Sequence, residues 1–330
     1  MAHSKISKIP VFSGNRMIGR RYSMVVLSLV AIISLGGVSQ ASQLHEAVVR
    51  GTIPQLQVLI SEGADVNAVD ENRDTPLHIA VRTGRNTIAE FLLGHGAKIN
   101  ARARDGSRPL HLAIPQGHSV MVKLLIEKGA NVNAKDNDGR TPLLLAAEHS
   151  YKEIARDLLN QGASVDIGSK DGSKPLHAAA LRNDREMVEI LVRHGANVDT
   201  RDALGGTALH IAAKNGRRAM AELLIRKRAA VYAKDNDGRS TLHIAVAAGR
   251  ADMSETLIRH GADVNETDNS GATPLHTAIA TGHYGMAQLL VRNGADLRSQ
   301  NKDGLTPLAL AHKLNQVHIA KFLQRKGARE

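Results

Sequence analysis

Cysteine and tryptophan are absent from this 330-residue chain, and only three phenylalanines and four tyrosines are present, so aromatics make up 2% of it. Without cysteine there can be no disulfide staple, no thiolate nucleophile and no thiolate-bound zinc, although this assigns no redox compartment. The scarcity of large rings argues against a single globule built on aromatic anchors. It also disfavours a nucleic-acid platform that stacks successive bases. A phosphate-cradling Gly-Lys-Ser/Thr loop, a Gly-x-Ser-x-Gly elbow, a paired-histidine zinc helix and a dinucleotide fingerprint are likewise missing. Hydrophobic residues still reach 42%, chiefly Ala, Leu, Ile and Val. That composition suits close packing of helix on helix rather than disorder.

Acidic residues are missing from the first forty-one positions, which carry Lys5, Lys8, Arg16, Arg20 and Arg21. An apolar run follows from Met24 to Leu35, then Gly36-Gly37 and Val38-Ser39-Gln40-Ala41. This order of basic, apolar and small residues is that of a secretory signal, with the cut expected between Ala41 and Ser42. The apolar run falls short of the roughly 20 residues that span a bilayer comfortably. An uncleaved anchor and export through the Arg20-Arg21 pair are the alternatives. Of the formal +11, these residues hold five charges, leaving +6 on the remainder. So moderate a balance selects neither an acidic protein, a nucleic acid nor a membrane.

From residue 42 onward one period governs the chain. Thr75-Pro76-Leu77-His78 recurs with variation at 108, 141, 174, 207, 240, 273 and 306, each step being 33 residues, and Ser42-Gln43-Leu44-His45 is a degenerate earlier copy. A second marker, Gly-Ala, recurs in the same phase at Gly63, Gly96, Gly129, Gly162, Gly195, Gly261, Gly294 and Gly327, with Arg228 at the one missing place. Two markers in one phase make a repeat architecture of about nine units. Within a unit, Thr caps a helix and Pro suits its first turn. A short Ala-rich helix, such as Leu77 to Arg82, then stops where the backbone needs positive φ: at Gly51, Gly84, Gly117, Gly216, Gly249 and Gly282, at Asn183 and Asn315, and at the less suitable Ser150. A second helix with apolar residues at helical spacing, such as Ile88, Phe91, Leu92 and Leu93, runs to Gly-Ala. The remainder, such as Val132 to Gly139, is extended and turns at Asp/Asn-Gly as a hairpin does.

These units resemble ankyrin repeats: Gly261-Ala262-Asp263-Val264-Asn265 and Thr273-Pro274-Leu275-His276 match that family's pattern almost letter for letter. The resemblance covers Ser42 to Glu330. It implies an all-α repeat fold, an ankyrin-repeat solenoid of about nine 33-residue helix-turn-helix plus β-hairpin units. The domain reading is a signal at 1–41, an N-terminal capping repeat at 42–73, seven repeats at 74–304 and a C-terminal capping repeat at 305–330. Polar Gln43 and Glu46 at one end, and Gln324 to Glu330 at the other, suit caps that face water. Weak joints are expected at Arg228, Ser150 and Pro115.

Sixteen histidines invite a metal reading, yet His45, His78, His111, His177, His210, His243 and His276 are one motif position repeated. One histidine per unit, without clustered carboxylates, is no zinc set. By resemblance this histidine bridges neighbouring units. Asp136-Asn137-Asp138-Gly139 and Asp235-Asn236-Asp237-Gly238 look like part of a calcium loop, but the glycine comes too early and position twelve is Ala147 or Val246 instead of Glu. No metal, cofactor or catalytic residue is expected, and the chain reads as a non-enzyme.

The resemblance places partner contacts on hairpin tips and first-helix ends. Those positions hold Arg104, Arg140, Lys170, Leu181, Arg182, Leu204, Lys214, Arg239 and Lys302, with the acidic Glu71, Asp74 and Glu148. Leu181 and Leu204 occupy positions usually polar, with Arg182 and Lys214 close by in the repeat frame, so a footprint on the fourth to sixth units is expected. The function expected is a monomeric, exported protein-binding scaffold, periplasmic or secreted. The alternatives are an effector engaging a host protein and, less favoured, nucleic-acid binding through the basic surface. A membrane is expected to meet only residues 1–41, if they stay attached.

Overall fold

The structure, a computed structural model, describes residues 40–329. Most of the expected signal therefore lies outside the described residues. Two compact units divide the chain, Met1–Arg104 and Asp105–Glu330.

In the first unit α1 (Gln40–Arg50), α2 (Ile53–Ser61), α3 (Pro76–Arg82) and α4 (Asn86–Gly94) form two helix pairs, with α1 packed on α3. The second unit repeats the same pair seven times: α5 (Pro109–Ala113) with α6 (Ser119–Glu127), α7 (Pro142–Glu148) with α8 (Lys152–Asn160), and α9 (Pro175–Arg182) with α10 (Arg185–Arg193). There follow α11 (Ala208–Lys214) with α12 (Arg218–Arg226), α13 (Thr241–Ala247) with α14 (Ala251–Arg259), α15 (Pro274–Ala280) with α16 (Tyr284–Arg292), and α17 (Pro307–Lys313) with α18 (Val317–Arg325). Within the second unit first helices pack on first helices and second on second, so its core is a file of repeated contacts.

The residues of that core recur in register. Ala113, Ala146, Ala179, Ala212, Ala245, Ala278 and Ala311 on the first helices are fully buried, and so are Leu125, Leu158, Leu191, Leu224, Leu257, Leu290 and Leu323 on the second. Alanine lets the first helices approach closely while leucine fills the space behind them, which is how the fold forms with so few rings.

Helix starts follow the expected chemistry. The Thr141 hydroxyl accepts the Leu144 N–H at 3.2 Å, and the Thr306 hydroxyl accepts that of Ala309 at 3.2 Å. Helix ends turn in the left-handed region at Gly84, Gly117, Gly216, Gly249 and Gly282, as well as at Asn183, Asn315 and Ser150, whose φ is 58°. Gly51 differs from the sequence expectation: it is not a positive-φ residue. A side chain is excluded there by distance, because a Cβ would lie 2.3 Å from the Ala47 carbonyl oxygen. Pro115 shortens α5 to five residues, since proline has no N–H to continue the ladder.

The hairpins are fingers tighter than regular strands. Six of them, at Asp70, Asp136, Asp202, Asp235, Asp268 and Asn301, are pinned by one carboxylate or amide oxygen that accepts two backbone N–H groups, as Asp136 does from Asp138 at 2.9 Å and Arg140 at 2.8 Å. Successive tips are joined by one backbone bond per repeat, for example Asn269 N–H to the Asp237 carbonyl at 2.9 Å and Lys302 N–H to that of Ser270 at 2.8 Å. With so short a pairing, the regular ladder reduces to a single antiparallel bridge among the described residues, Lys234 with Ser240. In the first unit the tip position that glycine fills elsewhere is Arg73, at φ 61°.

Candidate functional site

The motif histidines are structural on their geometry. In all of them but His45, whose Nδ1 faces the Ala41 carbonyl oxygen, Nδ1 accepts the N–H of the cap residue, as from Ser240 to His243 at 3.2 Å, which leaves Nε2 as the donor. Nε2 then reaches a distant carbonyl, for three of them the one just before the next repeat's cap residue: His243 to Ala272 at 3.0 Å, His276 to Leu305 at 3.0 Å and His210 to Arg239 at 3.3 Å, while His177 reaches Thr200 at 3.0 Å. His111 shares its proton between Ala134 at 3.0 Å and Arg140 at 3.2 Å. His45 bridges to the Asp74 carbonyl at 2.9 Å, and the His78 Nδ1 accepts the Thr75 N–H at 3.0 Å. Burial depresses the pKa of His111, His177, His210, His243 and His276 below the ordinary 6.5, against smaller upward pulls from their bonds and nearby carboxylates. The third unit has Leu144 at this place, fully buried and unable to make the bond.

A second clasp follows the Gly-Ala marker. Asn265 donates to the Gly294 carbonyl at 3.1 Å and accepts the Asp296 N–H at 2.7 Å, and Asn133 treats Gly162 and Ser164 in the same way. Sequence reasoning overlooked this role because the asparagine's partners lie 29 and 31 residues onward.

Around the fourth and fifth units the finger tips and first-helix ends enclose a groove of about 980 Å³. Four of the nine basic and apolar partner-contact candidates line it: Leu181 and Arg182 from the end of α9, Lys214 from the end of α11, and Leu204 from a finger tip. Leu181 is 59% exposed and Leu204 76%. Leu204 projects because its finger is held from below, the Asp202 carboxylate accepting the N–H groups of Leu204 at 2.9 Å and Gly206 at 2.8 Å. Arg182 and Lys214 are exposed and enter no ion pair among the described residues.

The remaining candidates stand apart from the groove lining. Arg140 pairs with Asp136 at 2.8 Å and Asp138 at 3.4 Å, and Arg239 with Asp235 at 2.8 Å and Asp237 at 2.9 Å. Both guanidinium groups thus neutralise carboxylates of their own fingers. Lys170 is exposed at a tip, where its backbone N–H continues the tip-to-tip bonding to Asp138.

The groove also holds groups beyond these four. Ile211 and Ala178, one helical turn before the exposed ends, belong to the lining, as do Asp171, Ser173, Asp202 and His149. His149 stacks on Tyr151 with centroids 5.6 Å apart. Glu148, half-buried at the end of α7, has its carboxyl pKa pushed up by burial, with Arg140, His149 and Arg182 pulling it the other way. The result is an apolar strip with cations at two first-helix ends and carboxylates on the neighbouring elements. It presents no nucleophile with an oriented base, and among the described residues no three His, Asp or Glu side chains gather as a metal set.

Repeated helix pairs with asymmetric exposed edges define a repeat-type binding protein. The family model of ankyrin repeats, in three copies, matches overlapping stretches at 44–136, 101–168, 121–202, 157–235, 176–268, 220–301 and 262–329, and the chain belongs to this family. Ankyrin repeats are protein–protein interaction modules and are generally not enzymes. No curated protein matches the sequence.

Proposed function

We propose that the protein is an exported, monomeric scaffold that captures a segment of another protein in the groove between α7, α9, α11 and the neighbouring fingers. The observation that carries this reading is the pair Leu181 and Leu204, 59% and 76% exposed on different elements yet lining one groove. Apolar side chains held up to water by rigid supports, with free cations beside them, are what an interface centre requires. Arg182 and Lys214 suit an acidic residue flanking the partner's apolar side chain. Asp171, Asp202 and Glu148 set against them give the groove a direction, so that a partner binds in one orientation.

Export rests on the leader at 1–41, and on the repeat pattern starting at Ser42, directly beyond the expected cut. The peptide bond in question lies in α1, where His45 Nδ1 is 2.6 Å from the Ala41 carbonyl oxygen. A mature chain beginning at Ser42 by mass spectrometry is the expected outcome, whereas one retaining earlier residues means an anchored form. Periplasmic residence is favoured over release as an effector, and detection in the medium or in a host cell reverses that order.

The groove is tested by placing a photocrosslinker at position 204 in intact cells. One dominant protein adduct is expected there, with none from a crosslinker at Val120 on a second helix. Leu181→Asp should abolish the adduct without altering the melting curve. An adduct that persists in that variant overturns the proposal.

A further inference from the structure

The unit spanning Thr207 to Arg239 gives up stability at two positions of one edge, and both put a recognition side chain into water. The first is Arg228. The second helices of the second unit end at Gly129, Gly162, Gly195, Gly261, Gly294 and Gly327, all with φ between 82° and 90°, whereas Arg228 holds φ 69°. A Cβ in that region is strained, so arginine is retained there against the backbone's preference. The second is Tyr232, at the register position of Asn133 and Asn265. Tyrosine cannot make the two-point amide clasp, and its ring is 76% exposed. By register, position 232 stands between Arg228 of its own unit and the end of α14, at Arg259.

Around this pair the edge is basic. Arg226, Lys227 and Arg228 are consecutive, and none enters an ion pair among the described residues. Arg259, Arg292 and Arg325 continue the row at steps of 33 residues and make only neutral bonds, to the Thr256 hydroxyl and to the carbonyls of Gln288 and Lys321. Asp199, Asp263 and Asp296 share the edge, but each accepts backbone N–H bonds. Of the nearby helix carboxylates, Glu222 pairs with Arg218 at 3.0 Å, and Glu255 lies one turn before Arg259. Cations at helix C-termini are favoured by the helix dipole alone. That explanation applies equally to α6 and α8, yet these end in Glu127-Lys128 and Asn160-Gln161. It also leaves Arg228, beyond the helix and strained, and Tyr232 unexplained.

We propose that this edge docks on an anionic lipid bilayer, with the cations of the second-helix ends on the headgroups and Tyr232 among them. Clustered Lys and Arg draw a protein to such a surface, and tyrosine settles at the headgroup level. With helices packed about 8–10 Å apart, the four ends from Arg226 to Arg325 span roughly 30 Å, so they meet many headgroups at once. Clustered Lys and Arg also attract nucleic-acid phosphates, but a site for single strands adds several stacking rings. This edge offers helix C-termini and a single ring. The docking surface lies outside residues 1–41, the only part for which the sequence suggested membrane contact, and it is separate from the groove.

The test uses the full chain and the triple variant Arg226→Gln, Arg228→Gly, Tyr232→Asn, two of whose changes restore the residues that neighbouring units carry. Both proteins are sedimented with phosphatidylcholine vesicles containing about one third phosphatidylglycerol, and with pure phosphatidylcholine vesicles. The wild type should partition roughly tenfold more onto the anionic vesicles. The variant should lose most of that difference while melting at or above the wild-type temperature. Residues 1–41 are common to both proteins and cancel in the comparison. Equal partition of wild type and variant overturns the proposal, and so does binding of a duplex or single-stranded oligonucleotide that exceeds vesicle binding and is lost in the same variant.

Discussion

The unit from Thr207 to Arg239 and its neighbour from Ser240 to Ala272 share the main contacts that build the fold. Leu209 and Leu242 occupy the same core place at 1% and 0% exposure, and His210 and His243 both reach the carbonyl just before the following unit's cap residue. Their fingers are pinned alike by Asp235 and Asp268. Their exposed edges differ, where one has Arg228 and Tyr232 and the other Gly261 and Asn265. A repeat can therefore surrender edge interactions without losing its place in the file, because the buried contacts on both sides hold it.

The comparison can be broken or sharpened by measurement, with amide hydrogen exchange reading each unit separately. The largest effect is expected in the core: Leu209→Ala and Leu242→Ala should each cost about 2–5 kcal/mol, and by similar amounts. A clear inequality between them would mean the two units are not packed alike. Next come the histidines. His243→Ala removes the acceptor of the Ser240 N–H and the donor to Ala272, and should cost about 1–3 kcal/mol.

The histidines also set the response to acid. Because His111, His177, His210, His243 and His276 are held below 6.5 in the folded chain, chiefly by burial, the unfolded chain binds protons first as pH falls. Their contribution is complete above pH 6.5 and is lost as pH drops below it. Urea midpoints should therefore fall between neutral and mildly acidic pH, and fall less in His243→Ala. An unchanged midpoint would contradict the assignment of Nδ1 as an acceptor.

Smaller still is the edge. Asn265→Ala should cost about 1 kcal/mol through its two lost bonds, while Tyr232→Asn should gain part of that amount. Arg228→Gly should raise stability by up to about 1 kcal/mol by relieving the positive φ, with the reverse change, Gly261→Arg, lowering it by about as much. A lower melting temperature for Arg228→Gly would show that the guanidinium makes a compensating contact.

Much of the fold was legible because each unit carries local instructions: a Thr-Pro start, a glycine or asparagine stop and a finger carboxylate all act within a few residues. Gly51 was misread for a reason equally local, since the pattern reports the need for glycine without distinguishing a positive φ from the nearby Ala47 oxygen. The candidate site was half legible. Leu181, Arg182, Leu204 and Lys214 were found from their places in the repeat frame, whereas Arg140 and Arg239, in equivalent places, are spent on carboxylates of their own fingers. The frame gives a position but not the charge opposite it.

By itself the sequence determined the period, the helix starts and stops, and the residues destined for burial, since these depend on backbone preference and hydrophobic spacing along a short stretch of chain. Tertiary structure alone decided what joins parts of the chain far apart in sequence: which carbonyl each histidine reaches, which asparagine closes a clasp 29 residues onward, and which exposed leucines share a groove. Those contacts depend on the offset with which one unit stacks on another, and no single repeat encodes that offset.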